Sequence, residues 1–264
     1  MSTPPILDNK DPDAPSVFVP SALLREARRQ KRLPPSDVPS TCILDPDGDI
    51  VRALKASGQA ARFEAWPCYH TDLYTSVLAG ETIGIVGSVV GAPFAVLVAE
   101  ELFACGCQRL ISLTSAGQIV PAGRPPYFVV IDRALRDEGT SYHYAAAAIF
   151  ADADPNIIAS ALPALSATGL PVFTGASWTT DAPFRETAEA VAAARAAGVL
   201  AVEMEAAALY AFARRRNAAV LCLAHVTNTM GVSEGDFEKG EADGTKDALA
   251  ILAAAMKAMR TIAV

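Results

Sequence analysis

The run GVLAVEMEAAALYAFARRRN, residues 198–217, decides how the rest of the chain is read. A glycine and a short apolar stretch lead into Glu203-Met204-Glu205. An almost wholly apolar segment follows and ends in Arg214, Arg215 and Arg216. The pattern is a short strand, a junction, then a helix whose basic end suits the negative pole of its dipole. One early acid suits the opposite pole. The second is followed by apolar residues on every side of the helix, and carboxylates are rarely buried without a compensating partner. A carboxylate held at such a junction can accept hydrogen bonds from a sugar diol or stabilise a developing oxocarbenium ion.

Working outward, the same alternation recurs. The runs TIGIVGSV (82–89), RLISLTS (109–115), YFVVID (127–132), PVFTG (171–175) and VLCLAHV (220–226) read as buried strands. Helices are expected over 93–106 with a stop at Gly106, over 184–198 with a stop at Gly198, and over 245–263 with Thr245 as N-cap. Near-continuous apolar strands between helices argue for a sheet covered on both faces, hence an α/β chain whose ligands gather where strands end and helices begin. Residues 1–40 stand apart: they are proline-rich and carry the basic segment SALLREARRQKRLPP, a short helix ended by Pro34. That arm either binds an anionic partner or packs on the body or a neighbouring subunit, the plainer alternative.

The 264 residues are 52% hydrophobic and 19% charged, with net charge −7, a globular balance that argues against nucleic-acid binding. Five cysteines without a C-x-x-C pair suggest reduced thiols rather than a disulfide or zinc framework. The N-terminus lacks a basic region followed by an apolar one, and no apolar run reaches the roughly 18–20 residues of a membrane span. A soluble cytoplasmic protein is expected. The three histidines, His70, His143 and His225, have no metal-ligand spacing.

The segment VEMEAAAL (202–209) resembles the signature helix of the nucleoside phosphorylase superfamily, which includes purine nucleoside phosphorylases, uridine phosphorylases and related nucleosidases. Other pieces follow in the family's order: DGDIVRAL (47–54), GSVVGAP (87–93) with VAEEL (98–102), LTSAGQIVP (113–121), SWTTDAPF (177–184) and HVTN (225–228). The resemblance covers most of residues 41–260. It implies a three-layer α/β/α single domain at 41–264 with a central, mixed, strongly twisted sheet, preceded by the arm at 1–40.

It also implies roles. Glu205 would bind the ribose 2′- and 3′-hydroxyls over Met204, with Glu203 either aiding base or sugar or simply favouring the helix N-terminus. Arg52, Gly48, Ser88, Ser115, Ala116 and Gly117 would hold phosphate through side chains and backbone amides. Phe184 would stack on the base, Asn228 would hydrogen-bond it, and Arg185 and His225 would lie beside it. His70 would reach a neighbour's phosphate site. Glu205, Asn228 and Arg52 would carry catalysis by positioning and electrostatics, with phosphate as co-substrate and no cofactor or metal. A homo-oligomer, dimer or hexamer, is implied as well.

The chain also departs from the pattern. Ser112 stands where a second phosphate arginine is implied, and Tyr69 and His70 stand near the place of a neighbour's third. Asn228 replaces the acid of the purine enzymes, and CILDPDGD replaces the stretch that carries the nucleosidases' catalytic Glu. Three readings follow: phosphorolysis of a nucleoside to free base and pentose 1-phosphate, hydrolysis by a nucleosidase, or nucleoside binding without catalysis.

Overall fold

The computed structural model describes residues 4–230 and 236–262. In chain order its elements are α1 (Pro20–Lys31), β1 (Thr41–Asp45), α2 (Asp49–Ala56), β2 (Ala60–Arg62), β3 (Tyr74–Leu78), β4 (Glu81–Gly87), α3 (Ala92–Ala104), β5 (Arg109–Gln118), β6 (Tyr127–Asp137), β7 (Phe150–Asp152), α4 (Pro155–Ser166), β8 (Val172–Thr180), α5 (Ala188–Ala196), β9 (Ala201–Glu203), α6 (Ala206–Arg216), β10 (Ala219–Asn228) and α7 (Thr245–Met259).

The continuous apolar strands are buried on both faces because successive residues feed two different cores. In β1, Cys42 and Leu44 join a core shared with α1, α3 and α6, whereas Ile43 joins one shared with α2, α4 and α7. The same split recurs in β5 between Leu110 and Ile111, and in β10 between Cys222 and Leu221. Three layers result: helices, mixed sheet, helices.

The sheet runs β10-β6-β8-β9-β5-β1-β4-β3-β2, with β7 on β6 and a further pairing of β10 with β5. Strands β5, β10, β6, β8 and β9 therefore close a ring, and β1, β4, β3 and β2 extend from it. The opening that places the site lies along β5. Parallel β1 accompanies β5 only to Leu44 opposite Ser112, and antiparallel β9 takes that flank at Gly117 and Gln118. Between them Leu113–Ala116 has lost one neighbour, the kind of switch point where α/β sheets bind ligands.

Several expected boundaries shift. Thr245 does not cap α7; Gly244 does, in the left-handed region at φ 76°. The helix expected from residue 184 starts at Ala188, behind a short 3₁₀ turn at Pro183–Arg185, because the Thr187 hydroxyl accepts from Ala190 N at 3.2 Å and fixes the N-terminus there. The strand expected over 171–175 continues to Thr180, so SWTT (177–180) is the end of β8. The basic helix α1 ends at Lys31, ahead of Pro34, with Arg32 left-handed. It buries Leu24 and Ala27, and Lys31 Nζ donates to Cys68 O at 2.5 Å. The helix α1 thus packs on the body of its own chain. All five cysteines are free and buried. No described helix is long and apolar enough to cross a membrane.

Candidate active site

A cavity of about 390 Å³ opens at the carboxyl ends of β1, β5, β8, β9 and β10. Of the residues expected in a ligand site, it gathers Ser115, Ala116, Gly117, Phe184, Glu203, Met204, Glu205 and Asn228. Larger cavities lie elsewhere, one between α4 and α6 and one beside α1 and α3, but neither gathers these groups.

Glu205 sits at the N-cap of α6 and is 1% exposed. Its Oε1 accepts from Gly91 N at 2.7 Å, and its buried Oε2 makes no hydrogen bond among the described residues. Burial, then the Glu203 carboxylate, pushes Glu205 up to about 8. A half-satisfied buried carboxyl lining a cavity is where a donor-bearing ligand would bind.

Of the two tasks expected for Glu203, its contacts are those of the helix N-terminus. Its Oε1 accepts from Ser177 Oγ (2.9 Å) and Thr179 Oγ1 (2.5 Å); its Oε2 accepts from Glu205 N and Ala206 N, both at 2.7 Å. Thr179 Oγ1 in turn accepts from Ala207 N at 2.9 Å. The first amides of α6 are sealed by this pair, so Glu203 fixes the helix start and the backbone of Glu205 instead of reaching for base or sugar.

Phe184 lies on the rim with its side chain 98% exposed, a free ring face for a planar ligand. Asn228 is held at its amide: Nδ2 donates to Ala116 O (3.4 Å) and Oδ1 accepts from Met230 N (2.9 Å). Phe237, on the opposite side of the chain's numbering, also lines the cavity and is largely exposed. Sequence reading missed it, because a lone aromatic in FEKG carries no periodic or motif signal.

The remaining expected residues are not part of this cavity. Arg185 follows Phe184 on the 3₁₀ turn but does not line it; Glu186 does. His70 lines a separate pocket with Lys31 and Trp66. His225 lies in a second small cavity behind Ser115, stacked on Phe128 with ring centroids 4.4 Å apart; burial and then Lys239 push it down to about 4. Burial of the ring between β6 and β10 explains its place without a catalytic role.

The loop expected to cradle phosphate is the largest departure. Gly48 N donates to Asp45 Oδ1 (3.1 Å) and Val51 N to Asp45 Oδ2 (2.9 Å), so the start of α2 is capped from within. Burial pushes Asp45 up to about 6. Ser88 N donates to Asp45 O at 2.9 Å, and Ser88 does not line the cavity. Gly48 must be glycine: its φ is +74°, and a Cβ there would stand 2.7 Å from Ser88 Oγ and 2.8 Å from Arg52 Nη1. Arg52 pairs with Asp49 and donates to Asp47 O at 3.0 Å, while Lys239 pairs with the other oxygen of Asp49. Ser115 donates its Oγ to Asp47 Oδ1 and its N–H to Asp47 Oδ2, both at 2.8 Å. Ser112, in the expected arginine's place, is buried, and its Oγ has no hydrogen-bond partner among the described residues. The structure thus brings Arg52, Gly48 and Ser115 close to one another but leaves them engaged with the chain's own aspartates.

These groups make a pH prediction. Glu205 is raised, so its contribution to stability is fully present below its unfolded value of 4.5 and is lost as pH rises through about 8. His225 is depressed, so its contribution is lost only on the acid side of 6.5. Asp45, at about 6, has finished ionising in the fold by neutrality. Tm is therefore expected to fall between about pH 6.5 and 8.5, and the fall should flatten in Glu205→Gln. Melting curves in buffers of equal ionic strength check this; a Tm that rises across the window contradicts the assignment.

A model described as the phosphorylase superfamily matches residues 40–262, and the chain belongs to that superfamily. A DeoD-type purine nucleoside phosphorylase of Roseobacter denitrificans is 28% identical over 168 residues, 61% of this chain and 70% of that one. A guanosine phosphorylase of Halorubrum lacusprofundi is 28% identical over 137 residues, 52% of this chain but only 57% of that one. The crystal structure of uridine phosphorylase from Vibrio fischeri superposes with a TM-score of 0.69 at 20% identity, covering 88% of this chain and 94% of that chain, a likeness of fold.

Proposed function

We propose that this chain cleaves the N-glycosidic bond of a nucleoside, releasing the base and transferring the pentose to an acceptor. The observation that carries the reading is Glu205, a buried residue of the cavity lining beside Met204, with one carboxyl oxygen that has no hydrogen-bond partner among the described residues. A carboxylate there accepts two sugar hydroxyls and faces the positive charge that grows on the ring as the base departs. Phe184 and Phe237 offer ring faces at the mouth, and Asn228 offers a positioned amide. Proximity and charge suffice for such chemistry, so no cofactor is invoked.

Arg52 and the superfamily's phosphorylases support phosphate as acceptor, with pentose 1-phosphate as the product. One specific observation favours water: the loop donors Gly48 N, Arg52 and Ser115 are all bonded to Asp45, Asp47 or Asp49. Incubating purine and pyrimidine nucleosides with and without inorganic phosphate, and following free base, tests the reading. Release from at least one nucleoside is expected. If none reacts in either medium, the enzymatic reading falls, and a Tm raised by nucleosides alone would leave a binding protein.

Phe184→Ala should raise KM on the order of 5–150-fold, since an aromatic–base stack contributes about 1–3 kcal/mol. Because the ring is exposed, Tm should stay at the wild-type value. An unchanged KM would remove Phe184 from the base site. A homo-oligomer, dimer or hexamer, remains our expectation, checked by light scattering of the full chain.

A further inference from the structure

Resting on the proposed nucleoside cleavage, we infer that Asp47 occupies the acceptor subsite as the chain's own anion, shuts phosphate out, and serves as the base that activates water.

Ser115 presents a hydroxyl and an amide N–H side by side on the stretch of β5 that has lost its neighbour, a pair suited to two oxygens of one anion. Asp47 fills that pair with both carboxylate oxygens, each at 2.8 Å. It is held there from behind, since its own carbonyl accepts from Arg52 Nη1 at 3.0 Å and the amides of Gly48 and Val51 that follow it are bonded to Asp45. Asp47 lines the same cavity as Glu205 and Met204. An entering phosphate dianion would have to displace it from Ser115 and then face Asp45 and Asp49 as well, while the nearby cations Arg52 and Lys239 are both already held by Asp49. Ser112 supplies a hydroxyl where a further cation would be needed.

Water meets none of these obstacles. In the step inferred, a water molecule hydrogen-bonded to Asp47 attacks C1′ of the pentose bound by Glu205. The C1′–O bond forms and one water proton passes to Asp47. The C1′–N bond breaks with its electron pair on the base, which takes a proton from solvent at the open mouth. Asp47 then returns its proton to solvent. The products are free pentose and free base.

The test uses the full chain in three forms: wild type, Asp47→Asn and Asp47→Ser. Wild-type base release should not depend on inorganic phosphate, and the sugar product should be the free pentose. Asp47→Asn keeps the size and one acceptor oxygen, and its release rate should drop by roughly 10²–10⁴-fold, the usual worth of a general base. Asp47→Ser frees the Ser115 donors, so phosphate should raise its Tm while leaving the wild-type Tm unmoved at constant ionic strength. Pentose 1-phosphate as the wild-type product, full hydrolysis by Asp47→Asn, or equal phosphate shifts in wild type and Asp47→Ser would each overturn the inference. If no nucleoside is cleaved by any form, the proposed function has failed, and the phosphate titration still judges whether Asp47 fills the anion position. The wild-type arms need no variant to fold.

Discussion

Glu205→Gln is expected to lower kcat/KM for nucleoside cleavage by on the order of 10²–10⁴-fold, because two hydroxyl donors to a charged acceptor contribute about 1.5–3 kcal/mol each. The amide is the informative replacement. Its oxygen still accepts from Gly91 N, whereas Glu205→Ala would also strand that buried donor and mix a folding defect into the kinetics. Charge is what the substitution removes, and charge is what a cationic transition state needs, so the loss should fall on kcat as well as on KM. The pH profile sharpens the expectation. Burial and Glu203 raise the carboxyl to about 8, so the empty site holds a proton at neutrality and the ionised form grows as pH rises. Wild-type nucleoside affinity should therefore increase through about pH 8, and the Gln variant should be flat over the same range. A Gln variant with wild-type kcat/KM would remove Glu205 from the site.

How far this could be read without coordinates depends on the kind of signal. The two-faced strands and the strand–junction–helix of residues 198–217 were legible because burial on both faces leaves a run of apolar residues, and a helix leaves its period. The pairing of β5 with β10 that closes the ring left no trace, since register and partner choice are tertiary. Glu205 was legible as an acid that its surroundings do not explain, and Met204 and Phe184 followed from their place beside the same motif pieces. For Glu203 two roles stayed open: sequence shows a second acid but not that Ser177, Thr179 and two amides converge on it from β8 and α6. Asp47 stands within DPDGD, yet the resemblance there pointed to Gly48 and Arg52. Only the fold brings it 68 positions along the chain to Ser115. His70 and His225 show the converse. Nearness in sequence to a motif did not bring either ring into the cavity.

Glu203→Leu is expected to cost about 3–5 kcal/mol of stability, because it strands buried donors at about 1–3 kcal/mol each, and to lower Tm by roughly 10 °C in a chain of this size. Four donors point at its oxygens: Ser177 Oγ, Thr179 Oγ1 and the amides of Glu205 and Ala206. Leucine fills part of the volume and satisfies none of them, so the start of α6 loses its cap and the junction that aims Glu205 loosens. Glu203→Gln separates the structural effect from the electrostatic one. It retains one acceptor oxygen, so its Tm should fall by less than that of the leucine variant. It also deletes the charge that, after burial, does most to raise Glu205. The pH midpoint for nucleoside binding should consequently move below about 8, with the carboxylate form gaining ground at neutrality. Melting curves for both variants, together with nucleoside affinity against pH for Glu203→Gln, check the two halves. An unshifted midpoint would mean that burial alone raises Glu205, and a leucine variant as stable as wild type would mean that the helix start is secured elsewhere.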